Sequence, residues 1–99
     1  MFKVTEDNGK VVVTPNENIV AGIVSDFRNE MKKYVADKKI ITVDLQNVEM
    51  IDSMGLGALI ATHNSMQKYN KKLELINITK DLISLMKTMR LDQHFDIKY

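Results

Sequence analysis

Ser53 stands in the run Ile51-Asp52-Ser53-Met54-Gly55-Leu56-Gly57-Ala58-Leu59-Ile60, with a carboxylate before it and two glycines soon after it. A serine in such a place has three chemical uses: as a nucleophile, as a helix cap, or as a hydroxyl that another enzyme phosphorylates. A nucleophile needs a base within hydrogen-bond reach and a group to orient that base. His63 lies further along the same predicted helix, roughly 15 Å away by axial rise, and cannot serve. No recognisable motif places a carboxylate beside His94, so no catalytic triad is read. The expectation is a chain without catalysis of its own.

Metal and nucleotide chemistry fare no better. Two separated histidines and no cysteine leave no zinc or calcium ligand spacing, and no cofactor is expected. Gly55-Leu56-Gly57 is too short for a phosphate-cradling Walker loop and lacks its Lys-Ser/Thr ending. Lys68, Lys71 and Lys72 cluster where a helix ends, and a solvated terminus complementing the helix dipole accounts for them. His63, on an apolar face, reads as a core-edge histidine with a backbone or water partner.

The cap and the phosphoacceptor remain. At a helix start the first N–H groups lack intrahelical partners and the dipole favours negative charge. A phosphate there adds about −1.5 to −2 charges, which the N–H groups can receive within the chain while a docked partner is repelled. Asp52 beside the serine and the small residues Gly55 and Gly57 should leave this helix mouth open to another protein. Residue physics alone leaves capping and switching evenly balanced.

These residues need elements to hold them. Phe2 and Val4 alternate with Lys3 and Thr5, and Asn8-Gly9 fits a type I′ turn, so strands near 2–7 and 10–14 form a hairpin. Pro15 ends the second strand. Asn16 and Asn18 are candidate caps for a helix whose face carries Val20, Ile23, Val24, Phe27, Met31, Tyr34 and Val35, reaching about Ala36. Gly22 falls on its opposite face as a surface glycine. Ile40–Leu45 is apolar on both faces, as in a central strand covered on both sides. From Ser53 a helical face of Leu56, Leu59, Ile60, His63 and Met66 runs to a stop near Asn70.

Residues 72–78 alternate as a strand, which makes a βαβ unit with parallel strands and a right-handed crossover. Thr79 caps a last helix with Asp81 in its first turn, and Leu82, Leu85, Met86 and Met89 form its buried stripe. Phe95 and Ile97 suggest a short terminal extended segment. Of seven methionines, Met31, Met66, Met86 and Met89 fall on core stripes, whereas Met50 and Met54 flank Ser53 and fit the core less readily. The fold class is α/β: a mixed sheet, hairpin plus parallel βαβ, with helices packed on it.

Ninety-nine residues suit one domain over 1–99, which buries roughly 65% of the unfolded surface. A net charge of +1 without a basic stripe argues against nucleic acid as a partner. The N-terminus lacks a signal-peptide core, and no apolar run is long enough for a membrane span, so a cytoplasmic setting is expected.

Val43-Asp44-Leu45-x-x-Val48-x-x-Ile51-Asp52-Ser53-x-Gly55-Leu56-Gly57 resembles the signature of STAS domains, specifically bacterial anti-sigma factor antagonists. Lys72-Leu73-Glu74-Leu75 and Leu91-Asp92-x-x-Phe95-Asp96-Ile97 are similar to the family's closing segment. The resemblance implies a non-enzymatic switch. The unphosphorylated protein binds an anti-sigma factor that is also a serine kinase, the kinase phosphorylates the motif's first serine, and a PP2C-type phosphatase reverses it.

Carried over, Ser53 is the phosphoacceptor, and Asp52, Ser53, Met54, Gly55, Leu56, Gly57 and Asn18 form the partner-binding surface. Met54 stands where many relatives have a second serine. Asn18 stands where the family often has the aspartate of a Gly-Glu-x-Asp segment. A monomer that pairs with its partner is the simplest expectation. The alternatives are a scaffold subunit of a stressosome-like or lipid-transport complex, and a nucleotide-sensing module.

Overall fold

The Asn-Gly turn closes as expected: Asn8 and Gly9 take φ values of 48° and 83°, the left-handed pair that a type I′ hairpin requires. It joins β1 (Phe2–Asp7) to β2 (Lys10–Pro15) in antiparallel register, with Val4 opposite Val13. The computed structural model describes residues 2–99. Within them α1 (Ala21–Ala36), β3 (Ile40–Asp44), α2 (Ser53–Gln67), β4 (Glu74–Ile76), α3 (Lys80–Thr88) and β5 (Asp96–Ile97) follow in order. The strand read over 72–78 is shorter in the structure, and the terminal extended segment expected at Phe95 and Ile97 delivers a fifth strand at Asp96–Ile97.

The sheet order is β1-β2-β3-β4-β5, antiparallel only at the hairpin. Each crossover from β2 onward steps to the next strand in the same direction. Right-handed crossovers of that kind stack all three helices on one face of the sheet. Val13, Val43, Leu75 and Ile97 lie in register across four strands and are buried under those helices. Phe27 of α1 is fully buried and meets Phe2 of β1 edge-on at 5.8 Å.

The doubly covered strand expected at 40–45 is therefore covered by helices on one side only. On the other face Thr42 and Asp44 are buried among neighbouring side chains, and their polar atoms are paired. Thr42 Oγ1 donates to Glu74 Oε1 at 2.7 Å, and Asp44 accepts from Asn77 Nδ2 and the Gln46 backbone N–H at 3.0 Å each. A hydroxyl and a carboxylate are tolerated there because hydrogen bonds offset the loss of water around each.

Thr79 caps α3 as read, accepting from the Leu82 N–H at 3.2 Å. Asn70 closes α2 with φ 62°, and the Lys71 N–H reaches back to the Met66 carbonyl at 3.1 Å. Met31, Met66 and Met86 are buried, but Met89 is 48% exposed. Arg90, with φ 58°, turns the chain immediately after Met89, so the stripe ends one turn early. No helix among the described residues is long and apolar enough to cross a membrane.

Candidate functional site

β2 and β3 are parallel neighbours, and the segments leaving their C-terminal ends run side by side before α1 and α2 begin. Ile19 pairs with Ile51 as an isolated parallel bridge. The Ile19 N–H donates to the Met50 carbonyl at 3.2 Å, and the Asp52 N–H donates to the Ile19 carbonyl at 3.3 Å. Two side chains complete the seam. Asn18 Oδ1 accepts from the Glu49 and Met50 N–H groups at 2.8 and 3.0 Å. Asp52 accepts from the Gly55 N–H at 2.8 Å through Oδ1 and from the Ala21 N–H at 2.9 Å through Oδ2.

Asp52 thus caps two helices with one carboxylate. It is the N-cap of α2, and it takes the first N–H of α1, whose own N-cap Val20 offers no side-chain acceptor. Those hydrogen bonds, from Gly55 first and Ala21 second, hold its carboxyl below the usual carboxylate range. The assignment corrects two expectations. Neither Asn16 nor Asn18 caps α1, because Asn18 turns instead to the loop before Asp52. Nor does Ser53 cap α2; it is the first helical residue, and its side chain is exposed.

The remaining expected site residues divide by direction. Met54 is 55% exposed and Met50 57%, so two thioether side chains flank Ser53 at the surface. Gly57 is half-buried. Gly55 and Leu56 face inward and are buried. A Cβ on Gly55 would sit 2.1 Å from the Ile19 carbonyl oxygen and 2.8 Å from Ile51 Cγ2. Glycine is needed there for the two segments to approach each other, not to open a surface, and Leu56 is a core residue. Of the expected partner surface, Ser53, Met54 and part of Asp52 and Gly57 face outward, while Asn18 acts as a strut through its carbonyl oxygen.

Ser53, Met54 and Gly57 form one wall of a groove of about 420 Å³, and Ala21, Val24, Ser25 and Arg28 of α1 form the other. Residues of the α1 wall recur at helical spacing, but only Val24 figured in the apolar pattern. Arg28 does not stand out in the sequence, because a cation on a helix reads as ordinary solvated surface. A signal was available in its register, one helical step from both Val24 and Ser25.

His63 is buried elsewhere, and its Nδ1 accepts the Leu73 N–H at 3.3 Å, the backbone partner expected of it. That acceptor role fits a neutral ring with its proton on Nε2. Burial pushes the His63 pKa down, helped by the charges of His94 and Lys72. His94 lies edge-on at 6.3 Å between ring centroids, and Phe95 at 5.4 Å. Among the described residues no three His, Cys, Asp or Glu side chains gather in a way that would hold a metal ion.

The family model of the STAS domain matches residues 1–99. Among solved structures, a candidate anti-sigma factor antagonist of Thermotoga maritima is similar with a TM-score of 0.89 at 20% identity, covering 97% of this chain and 84% of that one. An anti-sigma factor antagonist of Mycobacterium paratuberculosis gives 0.85 at 22% identity, with coverages of 98% and 83%. The Bacillus cell-fate determinant SpoIIAA in its phosphorylated form gives 0.77 at 13% identity, with coverages of 100% and 92%. At these identities the three structures establish the shared fold.

Proposed function

The chain belongs to the STAS domain family, and from that membership and the setting of Ser53 we propose that it is an anti-sigma factor antagonist working as a phosphorylation-controlled switch. The observation that carries the reading is the division of labour at the start of α2. Asp52 already caps the helix, and Ser53 stands exposed beside it with no fold-holding task. A phosphate on Ser53 leaves the seam beneath it intact. It changes only the surface that a partner meets, adding about −1.5 to −2 charges beside Asp52.

The partner is an anti-sigma factor that is also a serine kinase, docking on Ser53, Met54 and the adjoining groove in the cytoplasm. Exposed Met50 and Met54 give that surface adaptable apolar contacts. Unphosphorylated, the protein holds the anti-sigma factor and the sigma factor is free. Phosphorylated, it is repelled and released, and a PP2C-type phosphatase resets it. The chain itself supplies a hydroxyl and a shape, and catalysis belongs to the partners.

Incubation with such a kinase and ATP, followed by peptide mass spectrometry, tests the reading. Phosphate is expected on Ser53 and absent from the Ser53→Ala protein, which should still bind the kinase. A chain left unmodified, or modified only elsewhere, would overturn the proposal in favour of a scaffold role.

A further inference from the structure

We propose that Arg28 is the internal receiver of a phosphoryl group on Ser53, so that modification withdraws a cation from the docking surface while adding an anion to it. The inference rests on the switch reading of Ser53 and adds a second residue, on a different helix, to its mechanism.

Three observations lead there. Among the described residues, Arg28 is the one ionisable side chain lining the groove that Ser53 also lines. Its guanidinium leans across that groove, with one Nη lying 3.7 Å from where a Cβ on Gly57 would be. Gly57 is one helical turn, roughly 6 Å of axial rise, beyond Ser53 on the same side of α2. Among the described residues, none of the four ion pairs involves Arg28. The guanidinium therefore has no carboxylate to leave before it turns to a phosphate.

The seam supplies the reason why a side chain is needed at all. A phosphate at a helix start ordinarily takes backbone N–H groups. Here the Gly55 N–H is bonded to the Asp52 carboxylate, whose other oxygen holds Ala21. A phosphoserine would have to displace a carboxylate that also joins the two helices. Asp52 further places a fixed negative charge beside the new dianion. A guanidinium answers both problems, because its planar fork pairs bidentately with two phosphoryl oxygens and offsets the charge. Gly57 keeps the path over α2 clear of side chains.

The test uses the full chain with phosphoserine installed at position 53 during translation, which makes it independent of any kinase. The readout is the second ionisation of the phosphoryl group, followed by phosphorus NMR. With Arg28 present it should titrate below the ordinary phosphoserine value of about 6. Arg28→Gln should raise the midpoint by roughly half a unit or more, whereas Lys32→Gln, one turn further along α1, should leave it in place. Equal midpoints in the wild-type and Arg28→Gln proteins, or an equal effect of Lys32→Gln, would overturn the assignment. Failure of a kinase to modify Ser53 would count against the switch reading and leave this result untouched.

Discussion

Asp52 Oδ2 lies 2.9 Å from the backbone nitrogen of Ala21, so the cap of α2 also holds the first residue of α1. Ser53 is thereby mounted on a joint between two helices, and a partner docking there would meet α1 as well. This joint is charged. Because hydrogen bonds from Gly55 and Ala21 depress the Asp52 pKa in the folded state, its contribution is complete above the ordinary carboxylate value of 3.8 and is lost as pH falls through the lowered folded value. Asp52→Ala should therefore lower the unfolding temperature at neutral pH and flatten the acid limb of stability below about pH 4. Thermal melts across that range check it, and an unchanged acid limb would remove the carboxylate from the joint.

Gly55 and Gly22 make opposite predictions from the same substitution. A Cβ on Gly55 would collide with the Ile19 carbonyl, whereas one on Gly22 meets nothing within 4 Å. Gly55→Ala should cost about 3 kcal/mol or more, at the severe end of overpacking effects. Gly22→Ala should stabilise the exposed face of α1 by roughly 0.5–1 kcal/mol. Urea unfolding of both variants measures the pair, and similar midpoints would show that the segments can part at little cost.

Asn18 holds the loop before Asp52 by accepting two backbone N–H groups. Asn18→Ala should cost roughly 1–2 kcal/mol and speed hydrogen exchange at Glu49 and Met50. Asn18→Asp retains an acceptor and should keep those amides protected. Exchange rates that do not respond to Asn18→Ala would mean that the backbone bridge alone positions the loop.

His63 gives the fold a pH dependence separate from the proposed switch at Ser53. Its folded pKa lies below the ordinary 6.5, so the unfolded chain takes up the proton first. Stability contributed by the neutral ring is complete above 6.5 and declines as pH falls from there toward the folded value. Denaturation midpoints measured between about pH 7.5 and about pH 5.5 should fall in the wild type and fall less in His63→Gln. Parallel declines would assign the effect to other groups.

What the sequence makes legible here is local. Asn8-Gly9 sets its own turn, Thr79 caps the helix it precedes, and the apolar stripe of α2 needs only helical spacing to be read. The motif around Ser53 likewise points to the site, since its residues are consecutive. The joint is not local: Asn18 reaches Glu49 and Met50, and Ala21 reaches Asp52, across some thirty residues of intervening chain. Hence Ser53 reads as a cap as readily as a phosphoacceptor, Asn18 as a cap or a contact, and Gly55 as an opening in the surface. Covering β3 with helices on one face alone was hidden for a related reason. Its Thr42 and Asp44 are satisfied by Glu74 and Asn77 on the neighbouring strand and the loop after it, and an apolar-looking run does not announce such partners.

In the proposed switch, the charge on Ser53 decides partner binding while the fold stays as it is. The direct measurement is a calorimetric titration of a kinase-type anti-sigma factor with the unmodified chain and with the chain carrying phosphoserine at 53, circular dichroism confirming equal folding. Phosphorylation should lower the affinity by at least about 100-fold, about 2.7 kcal/mol. Equal affinity of the two forms, with both folded, would contradict it.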